Sequence, residues 1–118
     1  MKAAIPVEET KQEVCVSFGR APYFLFWDSE SDEQVLKENP AADAEGGAGI
    51  QAAQFVVDEG ADVLITIRCG ENAAEVCKAA EITIYKAEGV GAAANLQAFR
   101  EQKLAELTHF HAGFHGLS

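Results

Sequence analysis

Hydrophobic positions fall in short blocks, and the spacing inside each block predicts its element. Ala3 to Val7 is a continuous apolar run closed by Glu8 and Glu9, the pattern of a buried strand. From Glu13 to Phe18 apolar and polar residues alternate, which places Val14, Val16 and Phe18 on one face of a second strand. Tyr23 to Trp27 is apolar and aromatic and breaks at Asp28, which predicts a third strand, so the chain is expected to open with a three-strand meander. Ser31 to Glu45 turns polar, with Asn39 directly before Pro40, and reads as a long exposed loop. Loops of that length are usually functional or mobile.

The period changes after Gly46. Ile50, Ala53, Phe55, Val56 and Val57 recur at helical spacing and Gly60 sits where a C-terminal cap belongs. Val63 to Ile67 is a largely β-branched run suited to a strand buried on both faces. A second helix to about Ala80, a strand from Ile82 to Tyr85, and a third helix from about Ala92 to Lys103 with Leu96 and Phe99 inward complete the alternation. Leu104 to Ser118 is expected to trail off, with residues 1–107 forming one domain and 108–118 a flexible histidine-containing tail. The implied class is α/β: a mixed five-stranded sheet with helices on both faces and right-handed crossovers in its parallel part. Ligands in such sheets sit beyond the carboxyl ends of the strands, where the loops at Gly19, Gly46 and Gly70 are expected to converge.

Charge narrows the partners. With 9 Lys and Arg against 19 Asp and Glu, a formal charge of −10 repels phosphate backbones and anionic lipid, so neither nucleic acid nor a membrane is expected. No apolar run nears the roughly 18 to 20 residues of a membrane span, and Met1 to Pro6 lacks the features of a signal peptide, which suggests a cytoplasmic protein. Three cysteines, Cys15, Cys69 and Cys77, have no paired spacing, so neither a disulfide framework nor a four-cysteine zinc site is indicated.

Chemistry is concentrated in two glycine segments, SFGRAPYF at 17–24 and GGAGIQAA at 46–53. Glycine permits close backbone approach, and a helix start offers unpaired N–H groups and partial positive charge. Together they suggest a main-chain pocket for an anion. Gly46, Gly47 and Gly49 fit neither GxGxxG nor a phosphate loop, and they read equally as ending a loop where a helix packs closely. Cys69 lies between a strand and a helix start, where the positive helix end would favour a thiolate for a soft metal; a small buried turn residue is the alternative. Cys77 shares a stripe with Ala73, Val76 and Ala80 and reads as core, and Cys15 carries no role. Arg20 is either an anion clamp or a surface ion pair, and the aromatics Phe18, Tyr23, Phe24, Phe26 and Trp27 read as core. His109, His111 and His115 could bind a borderline metal but better fit a frayed terminus. Asp28, Asp58 and Asp62 could form a two-metal nuclease centre, yet each lies near an element end and the acidic charge disfavours that substrate.

The ordered set MKAAIPV, SFGRAPYF, the aromatic strand into Asp28, Glu38-Asn39-Pro40, GGAGIQAA, Gly60-Ala61-Asp62-Val63, Cys69-Gly70-Glu71-Asn72-Ala73 and Ile82 to Tyr85 resembles the dinitrogenase iron-molybdenum cofactor biosynthesis proteins over nearly the whole chain. That family comprises nitrogenase cofactor carriers and their stand-alone relatives. The resemblance implies a ribonuclease H-like three-layer α/β/α fold and non-catalytic binding or transfer of an iron-sulfur or iron-molybdenum-sulfur cluster or its precursor, in exchange with donor and acceptor proteins. On this chain the implied set is Ser17, Phe18, Gly19, Arg20, Gly46, Gly47, Arg68, Gly70 and Asn72 around the cluster, with Cys69 as metal ligand. Two positions depart from the family pattern: Ser17 stands where His is usual, and Ile67 where a glycine follows the strand threonine. Cys69 and the terminal histidines would then have to substitute. The competing reading is a metal-free interaction or regulatory module on the same fold.

Overall fold

The structure, a computed structural model, describes residues 1–111. Its strands are β1 (Lys2–Val7), β2 (Tyr23–Asp28), β3 (Gln34–Glu38), β4 (Val63–Thr66) and β5 (Thr83–Lys86), and its helices are α1 (Ala48–Asp58), α2 (Glu71–Ala79) and α3 (Ala92–Arg100). One mixed sheet has the order β3-β2-β1-β4-β5. β1, β4 and β5 are parallel neighbours, while β2 runs antiparallel to β1 and to β3.

Strand alternation sorts side chains onto two faces. Ala4, Phe24, Phe26, Leu64 and Ile84 face α1 and α2, meeting Ala52, Ala53, Val56, Ala73, Ala74 and Cys77. Ala3, Ile5, Val7, Leu25, Trp27, Val63 and Ile65 face the other way, against Ala92 and Leu96 of α3 and against Val14 and Leu104. The expected α/β class with a mixed five-stranded sheet and helices on both faces is thus present, in three layers.

Two expectations from the first half fail. Glu13 to Phe18 is not a strand: its only ladder contacts among the described residues are isolated bridges, Val7 to Val14 and Glu13 to Gly91, and Val16 is 50% exposed. The third strand of the meander is instead β3, inside the stretch read as loop. Its residues are mostly exposed because β3 is a sheet edge, where Lys37 and Glu38 face water. The third helix also stops earlier than expected, at Arg100.

All three helices end alike. After α1, Gly60 at φ +79° donates to Val57 O and Ala61 donates to Val56 O, the paired bonds of a Schellman closure. Glu81 (φ +63°) and Ile82 close α2 in the same way, as do Gln102 (φ +59°) and Lys103 at the end of α3. Beyond α3 the chain does not trail off over 104–111. Leu104 is buried, Lys86 N donates to Ala105 O at 2.8 Å, and Leu107 N donates to Ile84 O at 2.9 Å, which adds a short extra ladder along β5.

Candidate functional site

Sheet polarity determines which loops share an end. The carboxyl ends of β1, β4 and β5 lie on one rim, and the antiparallel pairing of Val7 with Tyr23 and of Tyr23 with Glu38 brings the start of β2 and the end of β3 to that same rim. Segments 8–22, 39–47, 67–70 and 87–91 therefore converge there, and each helix begins there. The expected convergence of the loops at Gly19, Gly46 and Gly70 follows from this register.

No side chain caps the start of α1 or α2. α1 opens after Gly47, which is left-handed at φ +67°, and its first ladder bond is donated by Gln51 to Gly47 O. The N–H groups of residues 48–50 thus lie outside the helix ladder. No acidic residue occupies its first turn, so the positive end of the macrodipole is not offset locally. α2 opens after Gly70 with Glu71 in its first turn.

A buried asparagine joins two rim loops. Asn39, 5% exposed, donates through Nδ2 to Gly19 O at 3.0 Å and Ala21 O at 2.9 Å, and its Oδ1 accepts from Ala41 N at 3.0 Å. Reading 31–45 as exposed loop missed this residue; an Asn after a strand and before a proline was the available signal. Arg20 reinforces the join. Its Nη1 donates to Ala44 O at 2.6 Å and Ala42 O at 3.4 Å, so it is neither a surface ion pair nor wholly committed: both acceptors are neutral and the cation keeps its charge at the rim. Ser17 Oγ accepts from Arg20 N at 3.2 Å, tightening the turn that carries Gly19. Ser17, Arg20, Gly46, Arg68 and Asn72 are exposed, Gly47 is half-buried, and Phe18, Gly19, Cys69 and Gly70 are buried. Phe18 packs edge-on against Phe24 at 5.5 Å in the α1/α2 core, so its ring supports the rim from beneath.

Cys69 differs from the expected exposed thiolate. It is 1% exposed in the same core cluster, its Sγ lies 3.6 Å from Gly70 O, and burial pushes its pKa up to about 12, with nearby Cys77 adding to the rise and Lys78 opposing it. Desolvation outweighs the pull of the α2 start. Cys77 is fully buried, as expected of core, and Cys15 is buried too. Ile67, Arg68, Cys69, His109, Phe110 and His111 line a cavity of about 270 Å³ at the rim. His115 lies outside the described residues. Among those described, no three His, Cys, Asp or Glu side chains are grouped to hold a metal ion, and this includes Asp28, Asp58 and Asp62. Asp62 Oδ2 accepts from Lys2 N, Asp28 Oδ1 from Glu30 N and Asp58 Oδ1 from Gln54 Nε2, ordinary structural tasks at element ends.

A family model described as dinitrogenase iron-molybdenum cofactor matches residues 1–102. The chain belongs to that family. The apo form of the orange protein from Desulfovibrio gigas superposes with a TM-score of 0.84 at 28% identity, covering 91% of this chain and 92% of the other. A candidate NifB protein from Thermotoga superposes with a TM-score of 0.78 at 38% identity, over 92% and 95% of the two chains. In sequence, an uncharacterised protein of Methanocaldococcus jannaschii is 28% identical over 107 residues, 88% of this chain and 89% of the relative. The family is that of iron-molybdenum cofactor biosynthesis, and none of the described helices is long and apolar enough to cross a membrane.

Proposed function

We propose that this protein binds and passes on an iron-sulfur or iron-molybdenum-sulfur cluster, or a precursor of one, as cargo and without catalysing a reaction on it. The observation that carries the reading is the gathering, in a chain of net charge −10, of two helix starts without side-chain caps and the cations Arg20 and Arg68 on one rim beside the Cys69 thiol. An anionic cluster would take hydrogen bonds from main chain near Gly19, Gly46, Gly47, Gly70 and Asn72, with charge balanced by the two arginines and one Fe–S or Mo–S contact at Cys69. Ser17 and Phe18 shape the turn beneath it. A full set of protein ligands would retain the cargo, whereas one thiolate with hydrogen bonds suits release to an acceptor. Donor and acceptor would be cytoplasmic cofactor-assembly proteins.

Anaerobic incubation with iron, sulfide and molybdate, followed by metal and sulfide analysis, tests this. The expected result is charge-transfer absorption that disappears in Cys69→Ser. A colourless protein without bound metal refutes the carrier and leaves the metal-free interaction module.

A further inference from the structure

The last described segment crosses the rim. After its ladder with β5, the chain reaches α2, where His111 forms a parallel bridge with Gly70 and its carbonyl oxygen accepts from Glu71 N at 2.9 Å. Between these contacts Phe110 packs against the α1/α2 core, with the Lys78 ammonium 4.3 Å from its ring centroid. Cys69 shares a cavity with Ile67, Arg68, His109, Phe110 and His111 there. The segment follows the end of the family match at residue 102.

We propose that residues 108–111 are a strap that closes over Cys69 and the start of α2, and that the strap and an anionic ligand compete for the same corner. The competition is physical. Glu71 N–H is among the groups a helix start offers to an anion, and the His111 carbonyl takes it. The chain entering the strap, 105–107, is held by sheet hydrogen bonds, whereas the strap itself is held by the Glu71 N–H on His111 O, by packing of Phe110 and by a cation over its aromatic face, so it lifts from a fixed root. A closed strap keeps the thiol from solvent and oxidants, and a lifted one presents the Cys69 sulfur and the Glu71 N–H together. The biological meaning of the gate rests on the cargo reading above; its existence does not, and its test uses no metal.

The full chain, as wild type and as Phe110→Ala, is alkylated natively with iodoacetamide, and the rate at each cysteine is read by peptide mass spectrometry. Cys77, fully buried in α2, reports global unfolding. Loss of the Phe110 anchor is expected to speed alkylation of Cys69 by about tenfold while Cys77 is unchanged. The milder Lys78→Gln is read by amide exchange, because Lys78 also favours the Cys69 thiolate. Glu71 N–H exchange should quicken while Ala74 N–H, bonded to Gly70 O, does not. Cys69 rates within about twofold of wild type, equal acceleration of Cys77, or unchanged Glu71 exchange in Lys78→Gln would each overturn the strap. Absence of bound metal in the reconstitution experiment would bear only on the cargo.

Discussion

Replacing Asn39 with alanine removes the buried side chain that ties the Gly19 turn to the 39–41 turn. Three main-chain groups lose their partner at once: the carbonyls of Gly19 and Ala21 and the N–H of Ala41. A buried polar group left unsatisfied costs about 1–3 kcal/mol. Arg20 and Pro40 alongside are exposed, so water can reach part of the gap, and the expected loss is near the low end, about 3 kcal/mol in total. Urea unfolding should show a lower midpoint with an unchanged m-value, since the surface exposed on unfolding is nearly the same. The isosteric Asn39→Asp sharpens the test. It keeps an acceptor for Ala41 N but aims a carboxylate oxygen at two carbonyl oxygens, so at neutral pH it should cost at least as much as alanine. That carboxyl's pKa would be raised in the folded state, so the deficit should shrink as pH falls and the protonated group donates again. A loss below about 1 kcal/mol for Asn39→Ala, or an aspartate variant as stable as wild type at pH 7, would refute the account of how the rim is held.

Two further predictions follow from backbone and thiol chemistry. The thiols of Cys15, Cys69 and Cys77 are raised by burial from 9.0 to about 11, 12 and 11, so the unfolded chain loses these protons first. Their contribution is intact below about pH 9 and declines as pH rises toward 11–12; the decline between about pH 9 and 11 should be shallower in Cys69→Ser, and identical slopes in urea titrations would contradict it. Gly47→Ala places a Cβ where nothing lies within 4 Å, so its cost is backbone strain at φ +67°, about 1 kcal/mol in the same assay; a loss above about 3 kcal/mol would mean the site is crowded after all.

The elements with strong periodicity were legible: β1, β2, β4, β5 and the three helices follow from apolar runs, helical spacing and Gly60. The alternation of Val14, Val16 and Phe18 misled because alternate spacing states only what a strand would need, and here Val14 and Phe18 are buried in different core clusters while Val16 faces solvent. β3 was hidden for the converse reason, since an edge strand has only one neighbour to satisfy and carries just Val35 and Leu36 as apolar residues. The Schellman closures at Glu81 and Gln102 left no glycine to announce them. At the site, topology from the sequence placed the loops together, but Cys69 is packed into the α1/α2 core and shares its cavity with a segment some forty residues further along, contacts that no local pattern reveals. Local signals locate the rim, while long-range contacts decide which of its atoms meet water.

The Schellman closures all lie at the end of the sheet opposite the rim, where each helix turns directly into, or back toward, the strand starts. At the rim, by contrast, the layers are joined through loops, as where Val14 N donates to Val90 O and Ala92 N to Gln12 O. Strand register is carried by the ladders, so exposed rim positions such as Ser17, Arg20 and Arg68 behave as an exchangeable cassette on a common chassis, open to new chemistry without renegotiating the core.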